Sequence, residues 1–231
     1  MNYKKILKVA GVVAVAAFFC VGCGGDNGTG KEPDKPDIPD TPNSGGNPSG
    51  TTFQDSRDST TYNKVTIGTQ VWMAEYLNYD VPNVDTDVCY NNSADSCAKY
   101  GRLYNWDDAN SACPSGWHLP SDAEWTRLTD FVGASAGKKL KSTSGWNDNG
   151  NGTNQYGFSA LPGGYGLSDG SFYDAGAQAR WWSSTEYDGY YGSTECDACY
   201  AWDRLMIYMG ENVIRYYSDK TYLYSVRCVE D

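Results

Sequence analysis

Apolar positions recur along this chain in two rhythms, and each predicts its own kind of element. Val65, Ile67, Val71 and Met73 fall at odd positions on either side of Gly68-Thr69. Period-two spacing around a glycine turn predicts a β-hairpin. In CPSGWHLPSDAEW, residues 113–125, the rhythm changes. Pro114 and Gly116 mark a turn and Pro120 stops the extended run. Ser121 and Glu124 have the spacing of a capping box, in which each side chain bonds the other residue's backbone N–H. Trp125, Leu128 and Val132 then follow at i, i+3 and i+7 on one helical face, with Gly133 as the stop.

Weaker patterns fill the intervals. Tyr104 and Trp106 predict a strand entering the core. Asp107 predicts the cap of a short helix over residues 108–112, ended by Pro114. Residues 158–164, FSALPGG, predict a short buried strand closing in a turn. Trp181 and Trp182 stand side by side in WWSSTE, and on a strand they point to opposite faces. Packing both in the core is the favoured reading; one ring left at the surface to stack on a sugar is the other. Residues 200–208 and 212–217 flank Gly210 and predict an antiparallel pair. Residues 224–229, YSVRCV, predict a closing strand with Val226 and Cys228 alternating.

The first 52 residues follow neither rhythm. Lys4, Lys5 and Lys8 precede an apolar run over residues 9–21, too short to span a bilayer at about 20 residues per helix. The run ends in Cys20-Val21-Gly22-Cys23, the pattern of a bacterial lipoprotein signal over residues 1–22 with Cys23 as the lipidated residue. An ordinary secretory signal cut nearby is the alternative. Residues 23–52 are rich in Gly, Pro, Asp and Asn and nearly free of apolar side chains, so they predict a disordered tether. Residues 53–231 form the domain, long enough to bury a substantial core.

Composition narrows the class. The net charge of −11 becomes −14 once Lys4, Lys5 and Lys8 are removed. That argues against nucleic acid and anionic lipid as partners and fits a solvated secreted surface. Beyond Cys20 and Cys23 there are six cysteines: Cys89, Cys97, Cys113, Cys196, Cys199 and Cys228. An even set behind an export signal predicts disulfides, here in any of 15 pairings. Cys89 and Cys97 bracket a polar loop that a local bridge would staple. Cys228, on the closing strand, is placed to meet Cys113. Cys196-Asp197-Ala198-Cys199 reads as a local structural disulfide, since Glu195 and Asp197 would raise the pKa of a reactive thiol.

Chemistry is sparse. His118 is the one histidine. It leaves no multi-histidine metal site and no catalytic triad except through itself, and packing is its expected role. Asn147, Asp148, Asn149 and Asn151 imitate part of a calcium loop, but neutral amides replace carboxylates and Phe158 stands where the bidentate acid should be. A turn-rich surface loop is the better reading. No pattern calls for a cofactor. Eight Trp and 19 Tyr suit sugar stacking or protein recognition. Trp146, Trp181, Trp182, Tyr187, Tyr190 and Tyr191 are the candidate ligand-binding rings.

The blocks VTIGTQVWMAEYLNY, CYNNSADSCAKYGRLYNWDDA, CPSGWHLPSDAEW, YGFSALPGG, WWSSTE and SVRCV, in this order, closely resemble the Fibrobacter succinogenes major paralogous domain over residues 62–231. That resemblance implies a secreted or lipid-anchored surface protein with no established biochemical activity. More distantly, residues 118–125 and 225–229 resemble the core helix and closing strand of the C-type-lectin-like fold, in its formylglycine-generating-enzyme branch. This implies an α+β domain with two short helices and twisted antiparallel sheets whose terminal strands meet. The redox cysteine pair of that branch has only Cys196 and Cys199 to match it here, and they differ in spacing and position. The expectation is therefore a lipid-anchored envelope protein, non-catalytic, acting in binding or surface architecture, with a polysaccharide as first partner and a surface protein as second.

Overall fold

A computed structural model describes residues 51–82, 84, 87–189 and 199–231. It opens with strands β1 (Thr51–Gln54), β2 (Thr61–Ile67) and β3 (Gln70–Met73). Next come α1 (Ala94–Tyr100), β4 (Leu103–Tyr104), α2 (Trp106–Ala112), β5 (Trp117–His118), α3 (Asp122–Val132) and α4 (Ala136–Leu140). The remainder is strand: β6 (Tyr165–Gly166), β7 (Phe172–Tyr173), β8 (Gln178–Glu186), β9 (Tyr200–Ile207), β10 (Ile214–Asp219), β11 (Tyr224–Ser225) and β12 (Val229–Glu230). The class is mixed helix and sheet, stapled by disulfides.

Two five-stranded sheets carry the domain, in the orders β1-β2-β3-β12-β5 and β10-β9-β8-β11-β4. Their pairs are antiparallel except β8 with β11. The predicted hairpin is β2–β3, and the predicted antiparallel pair is β9–β10. The predicted closing strand is divided. β11 joins one sheet and β12 the other, so residues 226–228 cross between them. Arg227 in that crossing is fully buried, donating to the carbonyls of Met73 and Phe158 and lying 4.0 Å from the Phe158 ring centroid. Alternation alone would have turned it to solvent; covering both sides of the crossing turns it inward.

The crossing segment separates two hydrophobic cores. The first packs Trp125, Leu128 and Val132 of α3 against Val65, Ile67, Trp72, Trp181 and Met206. The second gathers Tyr62, Met73, Tyr104, Trp117, Trp182, Tyr224 and Cys228. Trp72-Met73 on β3 and Trp181-Trp182 on β8 each send one side chain into either core, because successive strand residues face opposite ways. These strands are therefore apolar on both faces.

α3 has the predicted start and stop. Ser121 accepts from the Glu124 backbone and the Glu124 carboxylate accepts from the Ser121 backbone. Gly133 ends the helix at φ +71°, a left-handed conformation that suits glycine. Four α-helices, not two, occur among the described residues. α2 starts one residue before the predicted cap, because the Asn105 side chain accepts from the Asp108 N–H and Trp106 opens the helix. α1 lies where a polar loop was expected; its sequence ADSCAKY carries no apolar periodicity, and Cys97 is its one buried residue. α4 requires Gly137, where a Cβ would sit 2.5 Å from the Asn212 carbonyl oxygen. Residues 158–164 form no strand: Ser159 and Gly164 have positive φ, and isolated bridges join Ala160 to Lys141 and Gly164 to Ala179 of β8. β1 starts at Thr51, ahead of the boundary at residue 53, and Phe53 stacks on Trp117 at 4.2 Å.

Cys89 is bonded to Cys97, and Cys113 to Cys228. The second bridge ties the end of α2 to the crossing between the sheets. Cys199 is in a disulfide as well, and Cys196, its expected partner, lies outside the described residues.

Candidate functional site

The candidate tryptophans are not at the surface: Trp181 and Trp182 both pack in the core, the favoured reading, and Trp146 is not available as a ligand-binding ring. Trp181 and Trp182 are fully buried and Trp146 nearly so. Each belongs to the interior by its contacts. The Trp182 indole donates to the Tyr104 carbonyl at 2.8 Å, the Trp146 indole donates to the Ala160 carbonyl at 3.0 Å, and Trp181 stacks on Tyr76. Tyr187 is partly exposed, whereas Tyr190 and Tyr191 lie outside the described residues, as does Cys23.

The Asn-rich loop is a folded turn. Asn147, Asp148 and Asn149 form a 3₁₀ turn with Asp148 left-handed, and the Asn151 amide oxygen accepts from the Trp146 N–H. These groups support the chain around Trp146. Among the described residues no three His, Cys, Asp or Glu side chains gather as a metal site.

His118 joins two parts of the fold. Its Nδ1 lies 2.7 Å from Asp231 and its Nε2 lies 3.0 Å from Glu124. Only the doubly protonated ring donates to both carboxylates. Burial pulls its pKa down, but the bonds to Asp231 and Glu124 outweigh that and raise it. Both nitrogens are thus occupied in holding β5, α3 and Asp231 together.

The surface aromatics gather at one end of the second sheet. Trp202 on β9 pairs directly with Tyr217 on β10, which puts both rings on one face. Tyr187, just past β8, stacks on Tyr217 at 4.1 Å and meets Trp202 edge-on at 4.8 Å. The Arg215 guanidinium sits 3.2 Å from the Trp202 ring centroid. It is held by both oxygens of Asp122, at 2.8 and 3.0 Å. Asp122 also pairs with buried Arg204 at 2.7 Å. Burial raises the Asp122 pKa, but the bonds to Arg215 and Arg204 prevail and hold it below the usual carboxylate range. At the sheet edge, Tyr216 is 48% exposed and its ring lies parallel to that of Tyr217.

Beneath this edge, on the other face, a buried polar network fixes β10. Asp203 accepts from Ser218 Oγ at 2.8 Å, and Ser218 Oγ accepts from the Tyr224 hydroxyl at 2.8 Å. Arg180 lies 3.4 Å from Asp203 and within 6 Å of the Tyr165, Tyr216 and Tyr224 ring centroids. Burial pushes the Asp203 pKa up to about 6 despite Arg180 and Ser218. Ser218 is buried and acts as a bridge in this chain of bonds. The arrangement offers a surface of partly exposed, mutually packed rings with a cationic neighbour.

Of the edge aromatics, Tyr187 was legible in the sequence as a candidate ring. Trp202 was not, because it sits inside an otherwise buried strand. Its signal would have been its place opposite Tyr217 in the β9–β10 register.

Taken together, these features define a disulfide-stapled domain of mixed helix and sheet, with two cores and an aromatic sheet edge. The chain belongs to the Fibrobacter succinogenes major domain family, whose model matches residues 65–230. No curated protein and no solved structure matches the chain.

Proposed function

We propose that this protein is a non-catalytic binding module of C-type-lectin-like architecture, lipid-anchored in the bacterial envelope through Cys23 and directed at polysaccharide. The observation that carries the reading is the aromatic edge: Tyr187 meets both Trp202 and Tyr217, Tyr216 lies against Tyr217, and Arg215 is clamped over Trp202 by Asp122. Rings ordered in advance lose little freedom on binding, which favours affinity. The architecture is supported by β12 lying beside β3, in the same sheet as the opening strands β1 and β2. The anchor is supported by the apolar run before Cys23 and the Gly- and Pro-rich segment after it.

The test is retention of the full chain, disulfides intact, on insoluble cellulose, xylan and chitin. Retention that is lost in Trp202→Ala and weakened in Tyr216→Ala, with the disulfides still formed, is the expected result. Equal retention of the variants, or none on any glycan, overturns the polysaccharide reading in favour of a protein partner.

A further inference from the structure

A second feature lies away from the aromatic edge. A cleft of about 720 Å³ opens between residues 61–65 of β2, residues 74–78 after β3, helix α1 and residues 154–161. Its volume falls within the roughly 300–1,000 Å³ of small-molecule sites.

The wall chemistry is specific in kind. Thr60, Thr61, Asn63, Asn78, Asn154 and Ser159 line the cleft with hydroxyl and amide groups. The charges beside them are largely engaged. The Lys64 ammonium is bonded to Glu230 at 2.7 Å. The Glu75 carboxylate accepts from the Asn63 backbone at 2.8 Å and from its amide at 3.0 Å. The Lys99 ammonium sits over the Tyr100 ring. The two charges without an ion-pair partner here, Glu75 and Lys99, are of opposite sign, so a strongly charged ligand of either sign would meet a like charge as well as an opposite one. A ligand dense in hydroxyls, each both donor and acceptor, would bond to Thr60, Thr61 and Asn78, while Asn154 and Ser159 bond each other and the Asn63 amide bonds Glu75.

The walls are also held in place before any ligand arrives. The Tyr76 hydroxyl donates to the Leu161 carbonyl and accepts from the Leu161 N–H, joining two sides of the cleft. The Cys89–Cys97 disulfide ties down α1, and Cys97 itself borders the cleft. Gly101, at the end of α1, packs so closely that a Cβ there would lie 2.5 Å from the Leu77 carbonyl oxygen.

We infer that this cleft is a binding site for a short, uncharged oligosaccharide, separate from the aromatic edge. The ligand class rests on the glycan-binding reading above; the site rests on the cleft alone. A module with both would hold a polymer on its aromatic edge and a short chain or chain end in the cleft.

Isothermal titration of the full chain with cellotriose, xylotriose and chitotriose tests this. Ala98 is exposed and borders the cleft, so Ala98→Trp fills the space from outside the core. Asn63→Ala, also at an exposed position, removes one polar wall group. Saturable binding of at least one triose is expected, weakened tenfold or more by Ala98→Trp and several-fold by Asn63→Ala. Binding of none of the three overturns the proposal, as does binding that both variants leave intact. Loss in Trp202→Ala with retention in Ala98→Trp would place the trioses on the aromatic edge and also overturn it. Triose binding in the cleft without retention on insoluble glycans would remove the polysaccharide reading and leave this one standing.

Discussion

Trp181 and Trp182 are adjacent on β8 yet lie in different hydrophobic cores, Trp181 against Tyr76 and Trp125, Trp182 against Tyr224. Neither ring reaches solvent. Alanine at either position should therefore cost stability, about 3–5 kcal/mol for a fully buried aromatic. Denaturant unfolding of the two variants checks this; a loss below about 1 kcal/mol at either site would contradict its burial.

The Cys113–Cys228 and Cys89–Cys97 disulfides should differ in what they contribute. The Cys113–Cys228 bridge closes 115 residues and the Cys89–Cys97 bridge only 8. Chain entropy gives about 4–5 kcal/mol for the long loop and about 2–3 for the short one. Double Cys→Ala replacement of each pair, compared by urea midpoint, should place the long-loop variant lower. The reverse order would mean that packing around α1 outweighs loop closure.

Stability should fall as pH rises, in two windows. Asp203 has a folded pKa raised to about 6, above its unfolded value. Its protonated form favours the fold, and that contribution disappears as pH climbs from about 4 to 6. His118 also has a raised folded pKa. Its contribution is fully present below the unfolded value and is lost as pH rises through the folded one. Because His118 and Asp231 are both well exposed, the effect should be no more than about 0.5–1 kcal/mol. Asp203→Asn should flatten the lower window and His118→Gln the upper. Unchanged profiles in the variants would show that other groups govern the slope.

Lys141 is buried with its ammonium donating to the carbonyls of Ile207 at 2.6 Å, Gly210 at 2.8 Å and Tyr208 at 3.1 Å. It ties α4 to the β9–β10 hairpin. Lys141→Met would leave those oxygens without their cation and should destabilise by about 2–4 kcal/mol. Lys141→Ala should recover part of its loss in ammonium or potassium salts relative to a larger organic cation, measured by thermal midpoint. Equal midpoints in all these salts would show that the emptied site does not take a small cation.

Anchoring is tested by fractionation. The wild-type chain should sediment with membranes and partition into detergent. Cys23→Ser should appear in the soluble exported fraction. Membrane retention of Cys23→Ser would exclude attachment through that residue.

Much of the local structure was written in neighbouring residues. Ser121 and Glu124 determine where α3 begins, Gly133 where it ends, and Trp125, Leu128 and Val132 which face it buries. The odd-numbered apolar residues around Gly68 determine β2–β3, and the even set of cysteines announced bridges before any partner was known. These features depend on groups a few residues apart, whose spacing and hydrogen-bonding capacity can be read along the chain. Only the tertiary structure decided that β3 and β8 are covered on both faces, because periodicity reports one buried face and not what packs on the other. Packing from both sides drew Arg227 inward and split YSVRCV between two sheets. It also buried Trp146, a candidate ring in the sequence, and placed Trp181 and Trp182 in separate cores. The aromatic edge came the same way: Trp202 meets Tyr217 through the β9–β10 register, and Arg215 reaches the Trp202 ring because Asp122, at the start of a distant helix, holds it there.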